Sequence, residues 1–195
     1  MQNLFTKRRE PFAFMLYLGI FGSSLLFLFI FFVFLKKELV NQEIPLLIPK
    51  VFWISTLAIL LSSFSLFLAK RYLENQDFKS YRTMLCMAFF LGLSFLSLQL
   101  LGWKILFDKG MTIDKHTGFS FLVILSALHI LHTLGGIVAL TFTVSKAFRN
   151  SSYVDSFVYS VNPPNLLNLK LVSIYWHFLD VLWLIIFIFL LYHAT

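Results

Sequence analysis

Tyr175-Trp176-His177-Phe178-Leu179-Asp180-Val181-Leu182-Trp183 sits inside an otherwise apolar run from Leu171 to Tyr192. At about 1.5 Å of rise per residue, a helix of that length crosses a hydrocarbon core about 30 Å thick. Asp180 falls near its middle. A carboxylate at that depth costs on the order of 2.5–3.5 kcal/mol even on the lenient insertion scale, so it must face protein or water and have a partner. His177, one turn earlier and roughly 60° away around the helix, is the nearest candidate. The pair reads either as a structural contact that orients this helix or as a proton or metal site.

Composition extends this reading to the whole chain. Of 195 residues, 59% are hydrophobic and 13% charged, and the mean hydropathy is +0.84. Such a chain is an integral membrane protein rather than a soluble domain. Its net charge of +7 comes with no basic run longer than Lys7-Arg8-Arg9. The other charges sit at the ends of apolar segments, so they read as topology signals and not as a nucleic-acid surface. A single cysteine, Cys86, rules out an internal disulfide and a cysteine-based zinc or iron–sulfur site within the chain.

Five spans are predicted, at about 12–35, 51–69, 83–107, 118–144 and 171–192, forming one all-α transmembrane domain over 1–195. The first follows a basic flank, as a signal peptide does. It is too long for a signal core and ends in Lys36-Lys37-Glu38 without a small-residue cleavage pattern, so it reads as a retained helix. The longest connector contains Asn162-Pro163-Pro164-Asn165, expected to lie extended at the surface. Lys and Arg on alternate sides number ten against six, which predicts a cytoplasmic N-terminus and an external C-terminus. Gly19 with Ser23, and Ala88 with Gly92, are small-residue pairs that let helices approach closely.

Five histidines could carry chemistry: His116 in a loop, His129 and His132 in the fourth span, His177 in the fifth, and His193 at its end. His129 and His132 share a helix face with Gly135-Gly136. One reading is a b-type cytochrome anchor, with His129 or His132 and His177 ligating haem from facing helices. The other is a cofactor-free bundle packed on a catalytic partner, its histidines, Gln99 and Asp180 bonded to one another, to the partner or to lipid head groups. Without cysteine pairs, carboxylate clusters or glycine-rich phosphate loops, a self-contained enzyme is not indicated.

Taken together, the segments resemble subunit III of the haem-copper oxidases. Residues 175–183 are similar to that family's Y-W-H-F-V-D-x-V-W signature. Gly118-Phe119 followed by Leu128-His129-Ile130-Leu131-His132-Thr133-Leu134-Gly135-Gly136 resembles G-F-H-G-L-H-V-x-x-G, with both histidines in place. Leu60-Leu61-Ser62-Ser63 resembles L-L-x-S-S, and Leu91-Gly92, Phe95 and Gln99 through Trp103 resemble L-G-x-x-F-x-x-x-Q-x-x-E-W. Two acidic positions depart from the pattern: Ser24 stands where the first-helix motif has glutamate, and Gly102 replaces the glutamate before Trp103.

The resemblance implies an accessory, non-catalytic subunit of a proton-pumping respiratory oxidase in the bacterial cytoplasmic membrane, most simply of the cytochrome c-oxidising kind. A subunit III-like component of a quinol oxidase or nitric oxide reductase is the alternative. It implies no haem or copper on this chain, with both in partner subunits I and II, bound phospholipids, and a place open to it in a larger respiratory assembly. The residues it marks are Gln99, Trp103, His129, His132, Trp176, His177, Asp180 and Trp183. His129 and His132 are expected to face other helices or bound lipid. His177 and Asp180 are expected to form a polar cluster flanked by Trp176 and Trp183.

Overall fold

The computed structural model describes residues 10–41, 48–112, 117–149, 157 and 163–193. Among them are five helices long and apolar enough to cross a membrane, and no strand. They are α1 (Glu10–Asn41), α2 (Val51–Glu74), α3 (Phe78–Asp108), α4 (Thr117–Arg149) and α5 (Pro163–Tyr192). The N-terminal cations Lys7, Arg8 and Arg9, together with Lys115, His116 and Asn162, lie outside the described residues.

The chain separates into two compact units, Met1–Glu43 and Ile44–Thr195. The first holds α1, a 32-residue helix in which Ser24 Oγ donates to Ile20 O at 2.8 Å. A hydroxyl bonded back into its own helix is how a serine is accommodated in an apolar span. The second unit holds α2 to α5, which pack as a ring: α2 on α3, α3 on α4, α4 on α5, and α5 back on α2.

Helix ends run beyond the hydropathic cores. Hydropathy marks where lipid begins, whereas the backbone ladder continues into the head-group region until a stop signal ends it. Between α2 and α3 only Asn75–Asp77 remain, held as a Schellman turn: Gln76 N donates to Leu73 O (3.1 Å) and Asp77 N to Tyr72 O (3.0 Å). Gln76 carries the left-handed conformation, φ 60°, that this turn requires. Asp77 then caps α3, its Oδ1 accepting from Ser80 N at 3.1 Å. The hydrogen bonds from Ser80 hold the Asp77 carboxyl below its ordinary range. At the far end of α3 the same turn recurs with a glycine, Gly110 at φ 80°, where Gly110 N donates to Phe107 O and Met111 N to Leu106 O.

One expectation is overturned. Pro163 and Pro164 do not lie extended before the last span; they open α5. Proline is excluded from helix interiors, but the N–H groups of a first turn have no helical partner to lose, and its fixed φ already suits the helix.

Candidate functional site

The polar side chains of the second unit concentrate where α5 faces α2. Trp176 and Trp183 are seven residues apart, so both point the same way from α5, and both are fully buried. A buried indole needs an acceptor for its N–H. Trp176 Nε1 donates to Ser62 Oγ at 3.1 Å, and Trp183 Nε1 to Thr56 Oγ1 at 2.9 Å. Ser62 Oγ in turn donates to Ala88 O on α3 at 2.7 Å, so one relay ties α5, α2 and α3 together.

Trp176 fits because two glycines make room for it. A Cβ on Gly92 of α3 would stand 2.8 Å from Trp176 Cη2 and Cζ2, and one on Gly136 of α4 would stand 3.0 Å from Cζ3. The six-membered ring therefore fills a slot between α3 and α4 that any side chain at either position would close.

Beside it, His177 Nδ1 and Ser63 Oγ share a hydrogen bond of 2.7 Å. Asp180 Oδ2 lies 3.7 Å from the same nitrogen, an ion-pair distance rather than a hydrogen bond. The His177 side chain is 41% exposed and that of Asp180 5%. The group thus runs from the bundle interior to its outer face. Neither carboxylate oxygen has a hydrogen-bond partner among the described residues.

One turn along α5, Trp183, Phe95 and His129 form a three-ring cluster, with centroids 5.1 Å (Phe95–Trp183), 5.2 Å (His129–Trp183) and 5.6 Å (Phe95–His129) apart. His129 has no exposed surface, and neither ring nitrogen has a hydrogen-bond partner among the described residues. Gln99, one turn from Phe95 on α3, donates Nε2 to Ser55 Oγ at 3.0 Å, leaving Oε1 without a partner among the described residues. Trp103 Nε1 donates to Ser126 Oγ on α4 at 2.9 Å. His132 is half-buried, its Nδ1 bonded at 2.8 Å to Leu128 O, while its carbonyl accepts from Tyr175 Oη at 3.0 Å.

The two positions that depart from the acidic pattern differ. Ser24 is bonded within α1. Gly102 is buried under Phe52: a Cβ there would come within 2.6 Å of Phe52 Cε2. The Phe52 ring stacks in turn on Trp183, at 6.3 Å and 16° between planes. An aromatic ring of α2 thus occupies the space a glutamate side chain would need.

Chemically, this arrangement binds helices to one another. Tryptophan, tyrosine and glutamine donors of α3 and α5 reach hydroxyl or carbonyl acceptors on neighbouring helices, each contact worth roughly 0.6 kcal/mol on average and up to about 1.7 in a membrane. Among the described residues no group of three or more His, Cys, Asp or Glu side chains is drawn together. His129, a candidate haem ligand by sequence, is enclosed by Phe95 and Trp183 and offers no open face. Sequence reasoning did not assign Ser55, Thr56, Ser126 or Tyr175. The signal for the first two was available: Ser55 and Ser62, and Thr56 and Ser63, are seven-residue pairs on one side of α2, matching the seven-residue spacing of the two tryptophans.

Comparison with curated proteins gives the setting. Subunit 3 of the cytochrome bo(3) ubiquinol oxidase of Buchnera aphidicola subsp. Baizongia pistaciae is 28% identical over 138 residues, 70% of this chain and 66% of that one. A probable quinol oxidase subunit 3 of Staphylococcus saprophyticus is 28% identical over 146 residues, 74% of this chain and 65% of its own length. A probable cytochrome c oxidase subunit 3 of Mycobacterium tuberculosis is 26% identical over 132 residues, 68% and 61% respectively. Over about 70% of its length this chain is similar to oxidase subunits 3, at 26–28% identity. The matched stretch spans less than two thirds of each of these three subunits 3. No family profile matches the chain. Relatives of oxidase subunit 3 with either printed donor, ubiquinol or cytochrome c, stand at nearly equal identity, so similarity does not select between them.

Proposed function

We propose that this chain is the accessory, non-catalytic subunit III of a haem-copper terminal oxidase in a bacterial cytoplasmic membrane. It packs on subunit I, in contact with subunit II or phospholipid, and supports the catalytic subunit without binding haem or copper itself. The observation that carries the reading is the similarity to oxidase subunits 3. The bundle supports it: the tryptophan and tyrosine donors of the fifth-span signature bond to neighbouring helices. Asp180 is the exception. Its carboxylate oxygens are buried and have no hydrogen-bond partner among the described residues, while His177 beside it reaches the outer face, where a partner or water can complete the pair.

The electron donor is assigned by the partner. Cytochrome c is the expectation from the resemblance, and quinol is the second reading, the kind of oxidase that the names of the bo(3)-type and staphylococcal relatives print. A mild-detergent affinity pull-down of the tagged chain, with an optical spectrum and protein identification of the eluate, tests both. Co-elution with a large haem- and copper-containing subunit is expected, and its haem types and any copper-bearing donor subunit name the oxidase. Elution of the chain alone with haem still attached would overturn the proposal in favour of a b-type cytochrome.

A further inference from the structure

Inside the ring of α2 to α5, two polar side chains from different helices are enclosed with atoms left over. Gln99 on α3 and His129 on α4 have no exposed surface. Among the described residues Gln99 Oε1, His129 Nδ1 and His129 Nε2 have no hydrogen-bond partner. Folded proteins leave few buried polar atoms in that condition, and those they leave are commonly met by internal water. The Gln99 amide is oriented by its neighbour. Ser55 Oγ donates to Phe52 O at 2.9 Å, so its proton is already used and it can only accept from Gln99, at 3.0 Å. The end of the amide that meets Ser55 is therefore the NH2, and Oε1 is the atom still to be satisfied.

The orphaned atoms belong to one level of the bundle. Helices α3 and α4 run antiparallel in a register that two contacts define: Trp103 Nε1 donates to Ser126 Oγ at 2.9 Å, and a Cβ on Gly92 would stand 3.0 Å from Ile137 Cδ1. That register sets Gln99 level with Ile130, next to His129. The flanking contacts agree with it. One turn before Gln99 is Phe95, whose ring lies 5.6 Å from that of His129, and one turn after it is Trp103, whose partner Ser126 is one turn from His129 on α4. Neither residue reaches the surface, so neither lipid nor a partner helix can complete them. What does so must be small, and it must donate. Oε1 can only accept, whereas a neutral imidazole has one donor and one acceptor; water has two of each and suits either tautomer.

We propose that Gln99 and His129 hold an internal water molecule, which donates to Gln99 Oε1 and bonds the nearer ring nitrogen of His129. The water joins α3 to α4, and through the Gln99–Ser55 bond the link extends to α2. Asp180 differs, because it adjoins His177, which reaches the outer face. The site is made wholly from residues inside this chain. It stands apart from the oxidase reading, so the pull-down and the following test fail independently.

X-ray radiolysis of the full chain in mild detergent, followed by peptide mass spectrometry, tests the site directly, because a bound water is split to a hydroxyl radical that oxidises the side chains beside it. Oxidation is expected on His129 and Phe95 although neither has exposed surface, and not on Phe119, which is equally buried. On mixing into water enriched in the heavy oxygen isotope, the label on His129 should acquire the isotope only after a lag, the time the internal water takes to exchange. Gln99→Met keeps the length of the side chain without the acceptor and should shorten that lag about fivefold, the effect of one hydrogen bond. His129→Leu should lower the oxidation of Phe95. The two variants are independent, and the measurement on the parent chain decides the matter even if both fail to fold. A parent chain in which His129 and Phe95 are oxidised no more than Phe119 would overturn the site, whether because both stay unlabelled or because radicals reach the whole interior. A lag unchanged by Gln99→Met would overturn it as well.

Discussion

Trp176 fills the volume that a side chain on Gly92 would occupy: its Cη2 and Cζ2 lie 2.8 Å from where a Cβ would stand. The contact joins the last helix of the ring to α3, and the same ring presses on Gly136 of α4 from the other side. Packing of this kind leaves no slack. Gly92→Ala is expected to destabilise the protein by about 1–3 kcal/mol, the usual range for overpacking. Gly136→Ala, with a 3.0 Å approach, should cost less. Thermal unfolding in mild detergent measures both. Adding Trp176→Phe to Gly92→Ala should recover part of the loss, and a strictly additive pair would show that the indole is not what the methyl group meets.

Gly102→Glu restores the residue type the resemblance expects, and it should nevertheless lower the yield of folded protein. The side chain would begin 2.6 Å from the Phe52 ring, in a buried position. Phe52→Ala in the same chain opens that space and should restore folding relative to Gly102→Glu alone, read as the fraction of monodisperse protein after extraction. If Gly102→Glu folds as well as the parent, Phe52 is not what excludes the acid.

Asp180→Leu should separate the chain from its complex. Among the described residues the carboxylate has no hydrogen-bond partner, and its one ion-pair neighbour, His177, is partly exposed and so keeps access to water; removing an unsatisfied buried carboxylate should therefore leave the purified variant no easier to unfold than the parent. Recovery of the variant together with the catalytic subunit should fall. Normal assembly and normal turnover stability of an oxidase carrying this variant would show that Asp180 has no role at the interface.

Acid should loosen the α2–α3 turn through Asp77. Hydrogen bonds from Ser80 depress its pKa in the folded state relative to the unfolded chain. Its contribution is therefore fully present above the ordinary carboxylate range and is lost as pH falls through the lowered value. Asp77→Asn keeps a capping oxygen without the charge and should flatten the acid side of a plot of unfolding temperature against pH. Asp77→Ala should remove both cap and slope.

The neighbouring residue tests backbone strain. Gln76 holds a left-handed conformation that costs a residue with a side chain roughly 1–2 kcal/mol, so Gln76→Gly is expected to stabilise the turn by about 1 kcal/mol in chemical or thermal unfolding. A destabilised variant would mean that the glutamine side chain contributes more than its backbone costs.

How far these features were legible differs by kind. The five helices follow from apolar runs such as Leu171 to Tyr192, because a bilayer demands length and hydropathy of every span, and both are written locally in sequence. Helix ends were less legible. The stop after Glu74 is a three-residue turn without glycine, and the start at Pro163 depends on proline's position in the first turn rather than on its identity. The site was legible as residue types and not as pairs. Trp176, Trp183 and Gln99 announced themselves as polar groups in lipid, but Ser62, Thr56 and Ser55 are acceptors supplied from far along the chain. The replacement of an acid by Gly102 carried no hint that Phe52 stands over it, since that contact exists only once α2 and α3 pack.

The bonds between α2 and α5 bear on the order in which the protein is made. Trp176 to Ser62 spans 114 residues and Trp183 to Thr56 spans 127. When α2 enters the membrane, the donors that will meet Thr56 and Ser62 have not been synthesised. Their hydroxyls can turn back on the helix, as Thr56 does toward Phe52 O at 2.7 Å, and so wait without exposing polarity to lipid. Closure therefore waits for α5, made more than a hundred residues after its partners on α2. A nascent chain halted before α5 would hold an open set of helices with the slot between Gly92 and Gly136 unfilled, a form that membrane quality control could tell from the finished one.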